Sequence, residues 1–362
     1  MATADPSINY ARLPRAVRDR LLAAAPRDRP VRPLRPGRVY AGDARALLPR
    51  IACDSVALSF WSPPYFVGKS YEADLTFAAW QDLLREVVAL HAPILQPGGF
   101  LAINIADILC FRDDSMPRVQ AQSPRQRRSP VTRTDVLRAM DAHPQMNRHG
   151  LAALLACSEQ TIDRRLNGNN IRGGKYDAQT RVKIVGGLVE QWALAAGLYP
   201  YDRRIWVKDP AWQNSRWHTL SYRAVDEFEY VYIVWKPGVT TVDRARLTPR
   251  EWKQWGSRGV WAIPSVRAND DHEAKFPLEL PRRVIRLLTA PGDLVLDCFL
   301  GSGTTAVAAV AEGRQFIGID REPRYVRLAR KRIGSARSRP KVRKSERRAP
   351  DLDVGPSDFD PR

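Results

Sequence analysis

Phe60-Trp61-Ser62-Pro63-Pro64-Tyr65 overlaps the end of an apolar run, 56–60, that reads as a buried strand. Two consecutive prolines hold the backbone extended and remove two N–H donors. The Ser62 hydroxyl and the Pro63 carbonyl can then face one point as acceptors, and the Tyr65 ring can stack on a planar substrate. Two acceptors beside a stacking face suit a planar exocyclic amine. Hydrogen bonds from both amine hydrogens favour a pyramidal nitrogen and free its lone pair for attack. Standing alone, the tetrad reads equally well as a rigid Pro-Pro turn.

A second constellation lies far along the chain, in LVLDCFLGSGTTAVAAVAEGRQFIGID. A buried strand reaches Asp297, and a tight Gly301-Ser302-Gly303 turn leads into a helix. Glycines there let the backbone turn sharply and approach a ligand. The next strand ends in Asp320, placed to accept hydrogen bonds from ribose hydroxyls. No Lys follows the glycines, so this is not a nucleotide-phosphate loop, and the absence of GxGxxG makes a dinucleotide a poorer fit. Strand, Asp, glycine turn, helix, strand and Asp together form a nucleoside-cofactor half-site.

Alternating strands and helices must position these groups. Short strands are expected at 38–41, 56–60, 100–107, 204–208, 229–236, 293–299 and 315–320. Helices are expected over 80–95, 182–197, 281–288 and 304–313, with a last one from about Pro323. This alternation predicts a doubly wound α/β sheet. From Phe111 to about Lys175 no strand is expected, and the block reads as an insertion. Only one helix and a basic tail follow Asp320, so the other strands must come from the N-terminal part. The cofactor half is last and the catalytic half first, a circular permutation of the usual order.

The tetrad resembles motif IV of the amino-methylating DNA methyltransferases, (D/N/S)-P-P-(Y/F/W). DCFLGSGTT is similar to their cofactor motif, and KFPLEL (275–280) to the segment preceding it. VYAGDARALLPRIACDSVALSFWSPPY, PGGFLAIN, RIWVKD and FEYVYIVWKP resemble further family segments, covering about 38–110 and 182–333. Motif IV ahead of the cofactor motif is the order of the β group, bacterial restriction-modification type. The resemblance implies a Rossmann-like methyltransferase fold, S-adenosyl-L-methionine as cofactor and double-stranded DNA as substrate. It implies that Asp43 contacts the cofactor adenine amine and Asp320 the ribose hydroxyls. Asp297, Gly301, Ser302 and Gly303 would line the methionine portion. Phe276, Pro277 and Phe299 would pack against the cofactor, and Thr304 and Thr305 would open the helix beside it. Cys298 departs from the family's usual Pro. Ser62, Pro63, Pro64 and Tyr65 would hold a base flipped from the duplex, at an unstacking cost of a few kcal/mol.

A sulfonium methyl is already activated, so in-line alignment suffices and no covalent intermediate is needed. None of the four cysteines follows a proline, which disfavours the 5-methylcytosine route. In the family, S-P-P-Y leans to cytosine N4 and D-P-P-Y or N-P-P-Y to adenine N6. A serine can also donate to cytosine N3, which an ionised Asp could not. Adenine N1 offers a similar acceptor, so adenine N6 stays open. So do an inactive helix-turn-helix regulator and an RNA methyltransferase.

Residues 151–168 of the insertion look like a helix-turn-helix. Leu151, Leu154 and Leu155 would face inward, and Ser158 would cap the second helix, whose Thr161, Ile162 and Leu166 pack back. Glu159, Gln160, Asp163 and Arg164 would then face the major groove, and Arg165 phosphates or bases. Ala156 stands where the pattern usually has Gly. A structural helical hairpin is the competing reading. Between 238 and 274, Arg250 and Lys253 suit phosphate contact, and Trp252, Trp255 and Trp261 read as core anchors rather than base-stackers. His272 could lie near the site or on the surface.

The expected divisions are a basic arm over 1–37, a catalytic half over 38–111 and a helical insertion over 112–180. The sheet continues over 181–237, a DNA-contact segment covers 238–274, and the cofactor half covers 275–334. A disordered tail is expected over 335–362. The 362 residues carry 58 Lys+Arg against 39 Asp+Glu, a formal +19, which points to a polyanion partner. No run approaches the roughly 18 apolar residues of a spanning helix. The N-terminus has no apolar signal core, and four scattered cysteines suggest neither a disulfide framework nor a zinc site. A cytoplasmic enzyme is expected, monomeric or homodimeric, with any cognate restriction endonuclease a separate protein.

Overall fold

The computed structural model describes residues 32–66, 75–113, 115, 129–167, 180–210, 224–266 and 276–338. Its strands are β1 (Arg38–Ala41), β2 (Val56–Trp61), β3 (Leu95–Ile105), β4 (Ile108–Arg112), β5 (Thr180–Lys183), β6 (Tyr199–Val207), β7 (Phe228–Trp235), β8 (Val260–Ala262), β9 (Leu294–Asp297) and β10 (Gln315–Asp320). Its main helices are α1 (Ala44–Leu47), α2 (Phe77–Ile94), α3 (Arg133–Ala142), α4 (Arg148–Leu154), α5 (Glu159–Asn167), α6 (Gly186–Ala195), α7 (Glu279–Leu288), α8 (Thr304–Ala311) and α9 (Pro323–Ser338).

Among the described residues one sheet has the order β1-β10-β9-β2-β3-β7-β6-β8. The first five strands in that order run parallel. β7 is antiparallel to both β3 and β6. β9 and β10, last in the chain, lie between β1 and β2. Strand side chains alternate between faces, and both faces are covered. Leu101, Ile103 and Ile105 of β3 pack with Leu84, Val87 and Val88 of α2 and Val189 and Trp192 of α6. On the other face Leu58, Phe60 and Ala102 pack with Val284 and Ile285 of α7, Ala308 of α8 and Ala329 of α9. The sheet is therefore doubly wound. Two-sided burial explains why VALSFW is apolar almost throughout rather than alternating.

Several element edges differ from the sequence reading. Pro97-Gly98-Gly99 does not precede a strand but lies inside β3. Gly98 has φ +81°, and a Cβ there would collide with the Val239 carbonyl, so only glycine fits this close approach. The expected strand-free block begins later, because β4 continues to Arg112 and pairs antiparallel with β5. β5 also takes the start of the helix expected from 182, leaving α6 to begin at Gly186. Among the described residues these two short strands pair with each other and with no strand of the large sheet. The Arg181 Nε–Asp113 Oδ2 contact of 2.5 Å joins their ends. α9 extends to Ser338, so 335–338 are helical rather than part of a disordered tail. The arm over 1–31, the tail over 339–362, His272 and Lys275 lie outside the described residues.

α3, α4 and α5 have a small core of their own. It comprises Val131, Val136, Ala139, Leu151, Ala152 and Ile162, with Leu155, Cys157 and Leu166 packed at its edge. A Thr132–Asp135 capping box starts α3, and Ser158 Oγ accepts from Thr161 N at 3.2 Å. Ala156, between α4 and α5, has φ +48°. The left-handed turn is thus kept without the glycine that would adopt it most readily. Leu154 corrects an expectation: its side chain is half exposed at the rim of a shallow cleft with Val131, Ala139 and Leu155.

Candidate active site

The carboxyl ends of five parallel strands share one edge of the sheet, with the end of β6 and the start of β7. Asp43 follows β1, Asp320 ends β10, Asp297 ends β9 and Ser62 follows β2. Ligands of doubly wound sheets bind at such an edge. Residues from both ends of the sequence thus converge on it, including the tetrad and the glycine turn.

Ser62 Oγ donates to Tyr65 Oη at 3.0 Å, and Tyr65 Oη donates to Glu229 Oε2 at 2.6 Å. Asn104 Nδ2 donates to Tyr65 Oη at 2.8 Å and to Glu229 Oε2 at 2.7 Å. Lys208 Nζ reaches Glu229 Oε1 at 2.9 Å and Asp226 Oδ2 at 3.2 Å. Burial pulls the Lys208 ammonium down, but the two carboxylates outweigh it and raise its pKa. Trp80 Nε1 donates to the Pro64 carbonyl at 2.7 Å, fixing the second proline from α2. Sequence reasoning missed Asn104, Glu229, Lys208 and Trp80. Each polar member of the network was visible as a polar residue at a strand end. Only the pairing of Asn104 with Val231, two residues from Glu229, brings them together. With Ser62 Oγ donating to Tyr65 Oη, its lone pairs are left to face a ligand as acceptors.

The glycine turn has the predicted form. Gly301 and Gly303 have φ +52° and +86°. Gly301 N donates to Asp320 Oδ2 at 2.7 Å, and Glu322 N to Oδ1 at 2.8 Å. Burial raises the Asp320 carboxyl above its ordinary value, against these two backbone donors. Asp297 is buried, and burial pushes its carboxyl up to about 7 despite the nearby Thr305 hydroxyl and the Phe299 amide. Its Oδ1 accepts from Phe299 N at 3.0 Å, whereas Oδ2 and Thr305 Oγ1 do not close a hydrogen bond. Ser302 and Thr304 are buried, and Arg332 of α9 donates to both hydroxyls, at 2.5 and 3.2 Å. Arg332 therefore braces the turn from behind, another role the sequence did not reveal. Asp43 caps α1 and pairs with Arg45 at 2.6 Å. Phe299 packs edge-on to Trp61, and Phe276 edge-on to Phe60, with Pro277 leading into α7. Cys298 is buried, as the family's Pro position would require of a small residue.

In the helical insertion, Glu159 bonds His149 at 2.9 Å and Asp163 bonds Arg148 at 2.6 Å. Arg165 Nε donates to the Val131 carbonyl at 2.7 Å, tying α5 to the start of α3. Gln160 and Arg164 are exposed, with no hydrogen bond or ion pair among the described residues. Arg250 and Lys253 are likewise exposed on the short helical segment after Thr248. Trp255 and Trp261 are buried and packed edge-on to each other, and Trp252 is partly buried, as expected of core anchors. Among the described residues no helix is long and apolar enough to cross a membrane, and no cluster could hold a metal ion.

Residues 56–331 match the model of a family described as N6/N4 DNA methylase. The chain is 60% identical over 294 residues to the type II methyltransferase M.BglI of Bacillus subtilis, covering 81% of this chain and 84% of that protein. It is 26% identical to M.XycI of Xanthomonas campestris pv. cyanopsidis, covering 83% and 88%. TTHA0409 of Thermus thermophilus, assigned as a DNA modification methylase and solved with S-adenosyl-L-methionine, superposes with a TM-score of 0.54. Its identity is 25%, over 83% of this chain and 94% of that one. The cytosine-N4-specific PvuII DNA methyltransferase shares the fold, with a TM-score of 0.51 and 19% identity over 83% and 87%. The chain accordingly belongs to the N6/N4 family of DNA methylases, the amino-methylating enzymes of restriction-modification systems.

Proposed function

We propose that the enzyme transfers a methyl group from S-adenosyl-L-methionine to the exocyclic N4 of cytosine in double-stranded DNA, at a specific site. The observation that carries this reading is the Ser62 hydroxyl, oriented by Tyr65 at 3.0 Å as a neutral acceptor. It stands on the same sheet edge as the glycine turn. The cofactor supplies a methyl already activated on a sulfonium. The residues present fit it: three carboxylates, Asp43, Asp297 and Asp320, line the edge, and Asp297 Oδ2 is buried without a partner. A nearby cation relieves such a carboxyl. Asp320 would hold the ribose hydroxyls and Asp43 the adenine amine. Asp297 with Gly301, Ser302 and Gly303 would border the methionine portion. Phe276, Pro277 and Phe299 would pack on the cofactor, with Thr304 and Thr305 starting the helix beside it.

On the substrate side, Ser62 Oγ and the Pro63 carbonyl accept the two amine hydrogens. The Tyr65 ring stacks on the extruded base and offsets part of its unstacking cost. Pro64 keeps the loop extended. The helical insertion reads sequence, with Gln160 and Arg164 the freest side chains. Glu159, Asp163 and Arg165 frame them, and Arg250 and Lys253 contact phosphates. Methylation would protect DNA from a cognate endonuclease carried on another chain.

The test is to methylate plasmid DNA with the purified enzyme, digest it to nucleosides and identify the modified one. N4-methylcytidine as the deoxynucleoside is expected. N6-methyldeoxyadenosine would replace the cytosine reading with the adenine one.

A further inference from the structure

Methyl transfer to an amine leaves one proton to be removed. As the amine nitrogen bonds the methyl carbon, the carbon–sulfur bond breaks and its electron pair stays on sulfur. The nitrogen then carries a positive charge and an extra proton. The tetrad lies at the head of a hydrogen-bonded line that can take this proton away. Ser62 Oγ donates to Tyr65 Oη at 3.0 Å, and Tyr65 Oη donates to Glu229 Oε2 at 2.6 Å.

The polarity of the line follows from its neighbours. The Tyr65 oxygen also receives Asn104 Nδ2 at 2.8 Å. A phenol has one proton, and an ionised carboxylate only accepts. The Tyr65 proton has two acceptors in reach, Glu229 Oε2 at 2.6 Å and the Asn104 carbonyl at 3.1 Å, and the shorter contact to the carboxylate sets the line, with the Ser62 proton toward Tyr65. That leaves lone pairs on Ser62 Oγ for the amine. Glu229 is 7% exposed, so bulk water is largely kept from it. The groups facing it are Lys208 from the end of β6, with Asp226 sharing that ammonium, Tyr65 from the loop after β2 and uncharged Asn104 from β3.

We propose that Ser62, Tyr65 and Glu229 form a proton relay and that Glu229 is its terminal acceptor. The methylated nitrogen gives its proton to Ser62 Oγ as the Ser62 proton moves to Tyr65 Oη. The Tyr65 proton moves to Glu229 Oε2, and the carboxylate becomes a neutral acid. Lys208 and Asp226 keep their charges throughout. Release of that proton to water after product departure resets the line. The relay rests on the reading that Ser62 faces the amine, and it serves cytosine N4 and adenine N6 alike.

The test compares wild type with Glu229→Gln, Tyr65→Phe and Ser62→Ala in single-turnover methylation over pH 6–9. Glutamine preserves a hydrogen-bond acceptor for Tyr65 but cannot take up the proton, and phenylalanine breaks the line while keeping the ring. General-base assistance typically contributes about 10²–10⁴-fold, so both variants should be slower by that order at pH 7. Their rates should climb roughly tenfold per pH unit, as hydroxide replaces the relay, and cofactor affinity by calorimetry should stay unchanged. A second readout needs no cofactor. Ultraviolet difference titration against the matching Tyr65→Phe proteins should show the Tyr65 phenol ionising at lower pH in Glu229→Gln, where the neighbouring negative charge is gone. Wild-type rate and pH profile in Glu229→Gln, with Ser62→Ala slow, would overturn the relay and leave the site reading intact. If Ser62→Ala methylates at the wild-type rate, the site reading fails and the relay with it.

Discussion

Ile162 offers a way to separate reading DNA from methylating it. It is fully buried in the small core beneath α3, α4 and α5, which holds six buried residues among those described. Ile162→Ala removes three carbons from a cluster with little else to close the gap. Such truncations cost about 2–5 kcal/mol. A unit of this size, 129–167, has an expected stability of roughly 2–6 kcal/mol at about 0.05–0.15 kcal/mol per residue. The substitution thus consumes most of it, and the insertion should spend much of its time unfolded. Binding to a cognate site must then refold it, so specific affinity should fall by the excess of that cost over the unit's own stability, up to about 3 kcal/mol or roughly 150-fold. Non-specific affinity, driven by phosphate contact, should change little. Fluorescence anisotropy with cognate and scrambled duplexes measures both, and limited proteolysis reports cleavage within 129–167. Calorimetry should return an unchanged cofactor affinity, because the sheet and its edge are packed separately. If the insertion becomes protease-sensitive while cognate preference survives intact, it is not the reader, and the 238–274 segment takes its place.

Two further outcomes follow from the site. Tyr65→Ala removes the stacking ring, worth about 1–3 kcal/mol per base, and leaves Glu229 without its 2.6 Å donor. Methyl transfer should drop at least a hundredfold, about 2.7 kcal/mol in barrier, with cofactor affinity within a factor of two or so; collapse of cofactor binding with surviving turnover would refute the assignment. For Asp297, pushed up to about 7, the folded protein holds a proton that the unfolded chain loses near the ordinary carboxylate value. Stability of the ligand-free protein should therefore fall as pH rises from about 4 to 7. A cation bound nearby favours the ionised carboxyl. Cofactor affinity should rise with pH up to about 7 and level off above it, by at most about tenfold per unit. Binding below pH 7 should release protons, seen as buffer-dependent heats. Asp297→Asn should flatten both dependences, and an unchanged pH dependence in that variant would assign it to another group.

Local chemistry made much of this protein legible. FWSPPY and DCFLGSGTT carry their own geometry, because prolines and glycines fix backbone shape wherever they stand. QFIGID reads as the strand β10 with no error at either end, since an isolated apolar run bounded by turn residues has few alternatives. The helix-turn-helix reading found the Ser158 cap and the buried Ile162, whose signals are local. It missed the exposure of Leu154 and the commitment of Arg165 to the Val131 carbonyl, which depend on how three helices meet. β4 and β5 escaped notice because their pairing joins segments that lie far apart in the chain, and TRVK of β5 carries a single apolar residue.

By itself the sequence determined the charge, the alternation of strands and helices, the acceptor tetrad and the glycine turn, all properties of short stretches. Tertiary structure decided which of them share an edge. It set β9 and β10 between β1 and β2, bringing Asp297 and Asp320 to the same sheet edge as Ser62. It laid β7 along β3 in the register that delivers Glu229 and Asn104 to Tyr65. It also set the Ser62 hydroxyl against Tyr65. Strand pairing is a non-local choice, fixed by burying both sheet faces at once, and no single segment contains that information.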